Sequence, residues 1–366
     1  MIYLDNGATS FYKPKQVQQA VNWAMEHCAN PGRGGHVPAM KAAEVVYRCR
    51  EQAGELFDCE PEQVVFTSNC THGLNIAIHS MIKPGSTVAV TGFEHNAVVR
   101  PLYARNVKLM VAGRKLFEWE DTLEQFEKAL KKGVSAAVFT HCSNVFGYIL
   151  PVEEMAKLCK IRGIPFIIDA AQSAGILPVS LTKLGADFIA MPGHKGLLGP
   201  QGTGLLLCSG AANPLLQGGT GSHSGSREMP EELPDMLEAG TLNVPGISGL
   251  GAGLQWVKNM GTEKIFCREK QTAEHCIKGL QKLGYQVFCG EKQSGTVSFV
   301  GKEDCEEIAE KLAKKGIAVR AGLHCAPLAH ESAGTLKSGT VRVSFGHDAT
   351  VQQADAFLKV MHSITK

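Results

Sequence analysis

Three shortages narrow the reading of this 366-residue chain before any motif is sought. Its twelve cysteines are scattered from Cys28 to Cys325 with no Cys-x-x-Cys pair, which argues against a disulfide framework or a metal ribbon and for small buried hydrophobes and free thiols. Charge of one sign is not in excess. Lys and Arg number 37 against 35 Asp and Glu, a formal net charge of +2, so no broad field for nucleic acid or a membrane is expected. Residues 1–20 hold no long apolar run and include Asp5, Lys13 and Lys15; neither a leader nor a membrane span is read there, and a cytoplasmic protein without a metal site is expected. What is present is 44% hydrophobic residues and 40 glycines, a globular mix in a chain longer than one core usually supports. Two domains are expected.

Apolar runs alternate with helical segments along the first two thirds. Val64–Thr67 leads to a helix from about Thr71, Thr87–Thr91 to one from Asn96, and Ala136–Thr140 precedes one near Val152. Phe166–Asp169 and a run over 186–191 follow. This alternation predicts a mainly parallel sheet covered on both faces, with its site at the strand carboxyl ends. Residues 217–234, rich in Gly, Ser and Pro, read as a long surface or interface loop. A helix over 245–260 then connects to a second, α+β region. Its predicted strands cover 286–289, Thr296–Val300 and 341–344, and its helices 303–315 and Val351–Ile364.

Gly193-His194-Lys195-Gly196 places a lysine just beyond the 186–191 strand, where its amine can meet a carbonyl cofactor. Twenty-six residues earlier, Phe166-Ile-Ile-Asp169 delivers a carboxylate at a strand end, ahead of Ala-Ala-Gln172. An anion beside a pyridine nitrogen keeps that nitrogen protonated, so the pair points to pyridoxal 5'-phosphate (PLP), with Lys195 as the Schiff-base residue. Asp169 can equally cap the following helix. Between a strand and a helix, Thr67-Ser-Asn-Cys70-Thr71 offers small polar residues suited to a phosphate, or an ordinary N-cap.

Further segments extend the pattern: Tyr3-Leu-Asp-Asn-Gly-Ala-Thr9, Arg33-Gly-Gly-His36, Glu94-His95-Asn96, Ser143-Asn144-Val145, Glu238-Ala-Gly-Thr241-Leu-Asn243, Arg320-Ala-Gly-Leu-His324-Cys325 and Val341-Arg342-Val343-Ser344. Over essentially its whole length the chain resembles the class V aminotransferases among fold-type I PLP enzymes, and within them the second group of cysteine desulfurases and the selenocysteine lyases. The resemblance implies an α/β large domain with a mainly parallel seven-stranded sheet and a smaller α+β domain. Residues 1–16 would form an arm joining the small domain, 17–250 the large domain and 251–366 the small one. It also implies that Cys70 and Thr71 bind the cofactor phosphate, with His194 and, from the partner subunit of a homodimer, Thr241. His95 would stack on the ring and move protons, and Gln172 would donate to the phenolic oxygen. Asn144 and Arg342 would meet the substrate, with Arg33 and His36 as further pocket residues. Pro192 departs from the family, many of whose members carry a phosphate-binding serine there; proline offers neither hydroxyl nor amide donor.

Cys325 decides the reaction. Removing sulfur from cysteine needs a second nucleophile, and a cysteine flanked by Gly322 and Pro327 is expected on a loop. The segment matches the Arg-x-Gly-x-His-Cys pattern of the second group, although Ala-Pro-Leu-Ala-His330 after the cysteine differs from the usual continuation. His324 could lower the thiol pKa, though adjacent side chains diverge in an extended segment. The resemblance thus implies a desulfurase that acts on L-cysteine or L-selenocysteine, releases L-alanine, and passes sulfur or selenium to an acceptor protein. Another class V activity, a transaminase or β-lyase, and a non-catalytic binding protein are the rival readings.

Overall fold

The computed structural model describes residues 1–32 and 34–364; Arg33, expected in the substrate pocket, lies outside them. Thirteen strands are described: β1 Ile2–Tyr3, β2 Val64–Thr67, β3 Thr87–Thr91, β4 Lys108–Ala112, β5 Ala136–Thr140, β6 Phe166–Asp169, β7 Phe188–Pro192, β8 Gly204–Cys208, β9 Gln286–Phe288, β10 Thr296–Val300, β11 Ile317–Ala318, β12 Arg320–Gly322 and β13 Thr340–Ser344. Seven make one sheet in the order β2-β8-β7-β6-β5-β3-β4, in which β8 alone runs against its neighbours. Successive residues of these strands enter cores on opposite faces. Phe166 and Ile168 join one core and Ile167 the other. Burial on both sides is why these strands read as unbroken apolar runs.

The second sheet, β12-β13-β10-β9, is antiparallel throughout. One face, with Val297, Phe299, Val341 and Val343, packs into a core with the helices Thr262–Lys282, Cys305–Lys314 and Val351–Ile364. The other face carries Ser298, Arg342 and Ser344, all buried. It bonds across to the large sheet's loops: Ser298 Oγ donates to the Val145 carbonyl at 2.6 Å, and Arg342 Nη1 to the Asn144 carbonyl at 3.0 Å. Alternation along β13 therefore sends Arg342 toward the large sheet while its neighbours fill the core. The first residues also belong here, because β1 pairs in parallel with β11 and Asp5 bridges to Ser344.

Residues 209–234 form a long, largely exposed loop. The helix Val244–Met260, capped by Asn243 through the Gly246 amide, leads from there toward the second sheet. No described helix is long and apolar enough to cross a membrane.

Candidate active site

Side chains from the carboxyl ends of five parallel strands converge. Asp169 ends β6 and is buried. Its Oδ1 accepts from the Ala171 amide at 2.9 Å and the Cys70 thiol at 3.5 Å; among the described bonds Oδ2 is uncommitted. Burial and the Asp169 charge push the Cys70 thiol well up, so it remains a proton donor to that carboxylate. Only the main chain of Cys70 was expected here. Its side chain is a contact that no sequence signal discloses.

Cys70 opens the helix Cys70–Met81, whose N-cap Asn69 accepts from the His72 amide at 2.9 Å. The amides of Cys70 and Thr71 have no partner among the described bonds. Two free donors at a helix start form an anion cradle. Beyond β7, Lys195 sits in a loop fixed from several directions. Gly193 donates to the Thr203 carbonyl at 2.8 Å, and the His194 carbonyl accepts from the Ser10 amide at 3.1 Å and from Lys13 Nζ at 3.3 Å. His194 Nδ1 lies 3.0 Å from Thr9 Oγ1. Gly175, at φ +82°, is needed because a side chain there would strike the Gly196 carbonyl. Burial holds the Lys195 amine below its usual pKa, against the opposing pull of Cys70 and Asp169. A less basic amine spends more time as the free nucleophile.

His95 caps the helix Asn96–Ala104, its Nδ1 accepting from the Ala97 amide at 3.0 Å. The neutral ring therefore carries its proton on Nε2. Burial lowers its pKa, which Asp169 partly offsets. Gln172 Nε2 donates to the Gly7 carbonyl at 2.9 Å and Asn144 Nδ2 to the His324 carbonyl at 2.8 Å, leaving each amide one further N–H. Arg342, 2% exposed, is no surface arginine. Its Nη2 meets Asp5 Oδ1 at 2.5 Å while its buried Nε has no partner among the described residues. Asp5 also accepts from Arg320 Nε at 3.1 Å.

Cys325 is exposed in the turn between β12 and the short helix Pro327–Ala333. Both His324 (φ +50°) and Cys325 (φ +57°) are left-handed, a conformation costing roughly 1–2 kcal/mol per non-glycine residue. The Asn96 amide donates to the Cys325 carbonyl at 2.7 Å, seating the turn beside His95. The expectation that His324 lowers the thiol pKa is corrected. Its ring points inward to His330 Nε2 at 3.5 Å and the Arg320 carbonyl at 3.4 Å, and burial drives its pKa down to about 3, so it offers Cys325 no cation.

Two expected residues stand apart. His36 caps the helix Val37–Phe57 through the Ala39 amide at 3.4 Å and has no described bond to this cluster. Thr241 is exposed, on a segment pinned by buried Glu238, which accepts from Arg50 Nη2 at 2.5 Å and the Phe66 amide at 2.6 Å. The arrangement as a whole offers an anion cradle, a carboxylate edge, a half-buried lysine amine and, beside them, an exposed thiol. These groups suit a phosphorylated pyridine aldehyde.

A family model described as Aminotransferase class-V matches residues 2–357. A probable cysteine desulfurase from Pyrococcus abyssi is 32% identical, the match covering 100% of this chain and 94% of the relative. One from Methanothermobacter thermautotrophicus is 30% identical over 99% of this chain and 94% of its own. Among solved structures, an apo cysteine desulfurase from Thermococcus onnurineus superposes with a TM-score of 0.93 at 32% identity, covering 100% and 94% of the two chains.

Proposed function

Since the chain belongs to the class V aminotransferase family, we propose that it is a PLP-dependent cysteine desulfurase, working as a cytoplasmic homodimer that passes sulfur to an acceptor protein. The observation that carries this reading is the exposed Cys325 thiol, held in a strained turn beside the Lys195–Asp169 cluster. A transaminase has no use for such a thiol. Residues 1–16, 17–250 and 251–366 serve as arm, large and small domain, a division supported by the pairing of β1 with β11.

In this reading Lys195 would hold PLP covalently, the Asp169 carboxylate would keep the ring nitrogen protonated, and the Cys70 and Thr71 amides, with the Thr71 hydroxyl, would hold the phosphate. His194, Gln172 and the partner subunit's copy of Thr241 complete the cofactor contacts. When bound, the cofactor supplies an electron sink for the substrate Cα. Lys195, once the substrate amine has displaced it, takes the Cα proton of L-cysteine and returns it at the end, and Arg342, backed by Asn144, receives the substrate carboxylate. His95, with its proton on Nε2, would pack against the cofactor and supply that proton to the reacting groups. Cys325, as thiolate, attacks the substrate sulfur. A sulfur–sulfur bond forms as the carbon–sulfur bond breaks; that electron pair remains on Cβ and later takes a proton. The products are L-alanine and a Cys325 persulfide.

The test separates thiol from cofactor. Cys325→Ala is expected to bind PLP normally while alanine formation from L-cysteine collapses, and alkylation with mass spectrometry should find the parent's persulfide on Cys325. Desulfurisation at the parent rate, or a persulfide on another cysteine, overturns the assignment. Alanine release from L-selenocysteine, measured alongside, decides between sulfur and selenium.

A further inference from the structure

Behind the Cys325 turn runs a line of buried polar side chains that the proposed reaction leaves unused. Thr335 Oγ1 lies 2.8 Å from His330 Nδ1, and His330 Nε2 lies 3.5 Å from His324 Nδ1. His324 Nε2 in turn lies 3.4 Å from the Arg320 carbonyl. The two rings are stacked, 12° from parallel with centroids 5.7 Å apart. His330 has no exposure, Thr335 5% and His324 8%.

Donor and acceptor rules give this line a direction. A carbonyl only accepts, so His324 Nε2 carries a proton and its Nδ1 is an acceptor. His330 Nε2–H then donates to it, and His330 Nδ1 accepts from the Thr335 hydroxyl. Every donor finds an acceptor with both rings neutral, the state in which buried imidazoles are most stable. No nitrogen is left to act as a base for Cys325. What the line does is fix the His324 ring.

Two hydrogen bonds, from the Asn96 amide to the Cys325 carbonyl and from Asn144 Nδ2 to the His324 carbonyl, hold the outer side of the turn. Left-handed backbone persists at two consecutive non-glycine residues only where its surroundings impose it. We propose that His330 and Thr335 are positioning residues, which lock the His324 ring from within and so keep Cys325 in the turn that aims its thiol at the substrate sulfur. The proposal rests on Cys325 being the sulfur acceptor.

The test uses the PLP-loaded enzyme. Thr335→Val removes the hydroxyl with little change of shape, Thr335→Ser restores it, and His330→Phe keeps a stacking ring without nitrogens. For Thr335→Val and His330→Phe, kcat with L-cysteine should fall about tenfold to a hundredfold, the scale of a small misplacement of a reacting group, while KM and the visible spectrum stay unchanged. Thr335→Ser should return toward the parent. Hydrogen exchange at the amides of Asn96 and Ala326, which bond to the Cys325 and Leu323 carbonyls, should quicken in the two damaged variants. Parent-like kcat in Thr335→Val, a serine variant as damaged as the valine one, or a loss of kcat without faster exchange overturns the proposal. If the parent itself forms no persulfide on Cys325, the desulfurase reading falls, and the exchange rates still decide whether the line holds the turn.

Discussion

His95 combines a structural and a chemical task, and substitution can part them. Its Nδ1 accepts the Ala97 amide, as an asparagine side chain would at the same N-cap. His95→Ala should therefore lose about 1 kcal/mol of stability and His95→Asn almost none, while both lose desulfurase activity; denaturant melts and alanine assays check the pair, and an active His95→Asn refutes the chemical role. Glu94 makes a pH-dependent prediction. Its Oε1 accepts from the Thr91 hydroxyl at 2.5 Å and the Thr140 amide at 3.1 Å, its Oε2 is buried without a partner among the described residues, and burial pushes its pKa from 4.5 up to about 8. Below the unfolded value both states hold the proton. As pH rises through the window between the two values the unfolded chain releases it and the folded one does not, so the stabilisation from this group is full below the window and fades across it. Glu94→Gln cannot ionise, and urea midpoints at about pH 5 and about pH 8 should show the variant gaining on the parent at the higher pH; a difference that stays constant would refute the assignment. Lys195, Asp169 and Cys325 could be read from sequence because each is placed by its own strand or turn. The Asp5–Arg342 pair could not, since its members stand 337 positions apart, nor could the inward turn of His324, which depends on His330.

The helix Val37–Phe57 does more than cover the sheet, because its Arg50 ties β2 to the segment bearing Thr241. Arg50 donates to the Val64 carbonyl and to Glu238, and its guanidinium lies 4.5 Å over the Phe66 ring. Breaking a buried pair leaves one charge uncompensated, so Arg50→Met should cost about 3–5 kcal/mol. Arg50→Met combined with Glu238→Leu should cost less than the two single changes together. Denaturant unfolding of the three variants checks this, and simple additivity would deny the coupling. Strands β2, β3, β5, β6 and β7 are legible because burial on both faces writes them as apolar runs. β4 and β8 escape such a reading: Lys-Leu-Met-Val-Ala lies at the sheet edge, and Gly-Leu-Leu-Leu-Cys suits a helix as well as a strand. The 186–191 strand shifts to Phe188–Pro192, where Pro192 stands opposite Gly204, and the 303–315 helix narrows to Cys305–Lys314 behind its Asp304 cap.

For the whole molecule, the shared-site dimer predicts complementation. A Lys195→Ala subunit keeps Thr241, and a Thr241→Asp subunit keeps Lys195 but sets a carboxylate against its partner's cofactor phosphate. Each homodimer should be nearly inactive, whereas the mixed dimer regains one intact site; tagged co-expression and alanine assays test this, no recovery in isolated mixed dimers would place Thr241 in its own subunit's site, and an active Thr241→Asp homodimer would place it in none. The pairing of β1 with β11 and the Asp5–Arg320–Arg342 cluster also carry a consequence for biosynthesis. On the ribosome the segment 2–5 emerges well before its partners between 317 and 344. The large sheet can condense while translation continues, since its strands lie between 64 and 208. Arg342, however, meets its carboxylate only after Asp5 has waited for every strand between them to be made, and closing so long a loop is slow. The strands between 64 and 208 can thus be well folded while the proposed carboxylate pocket around Arg342 does not yet exist.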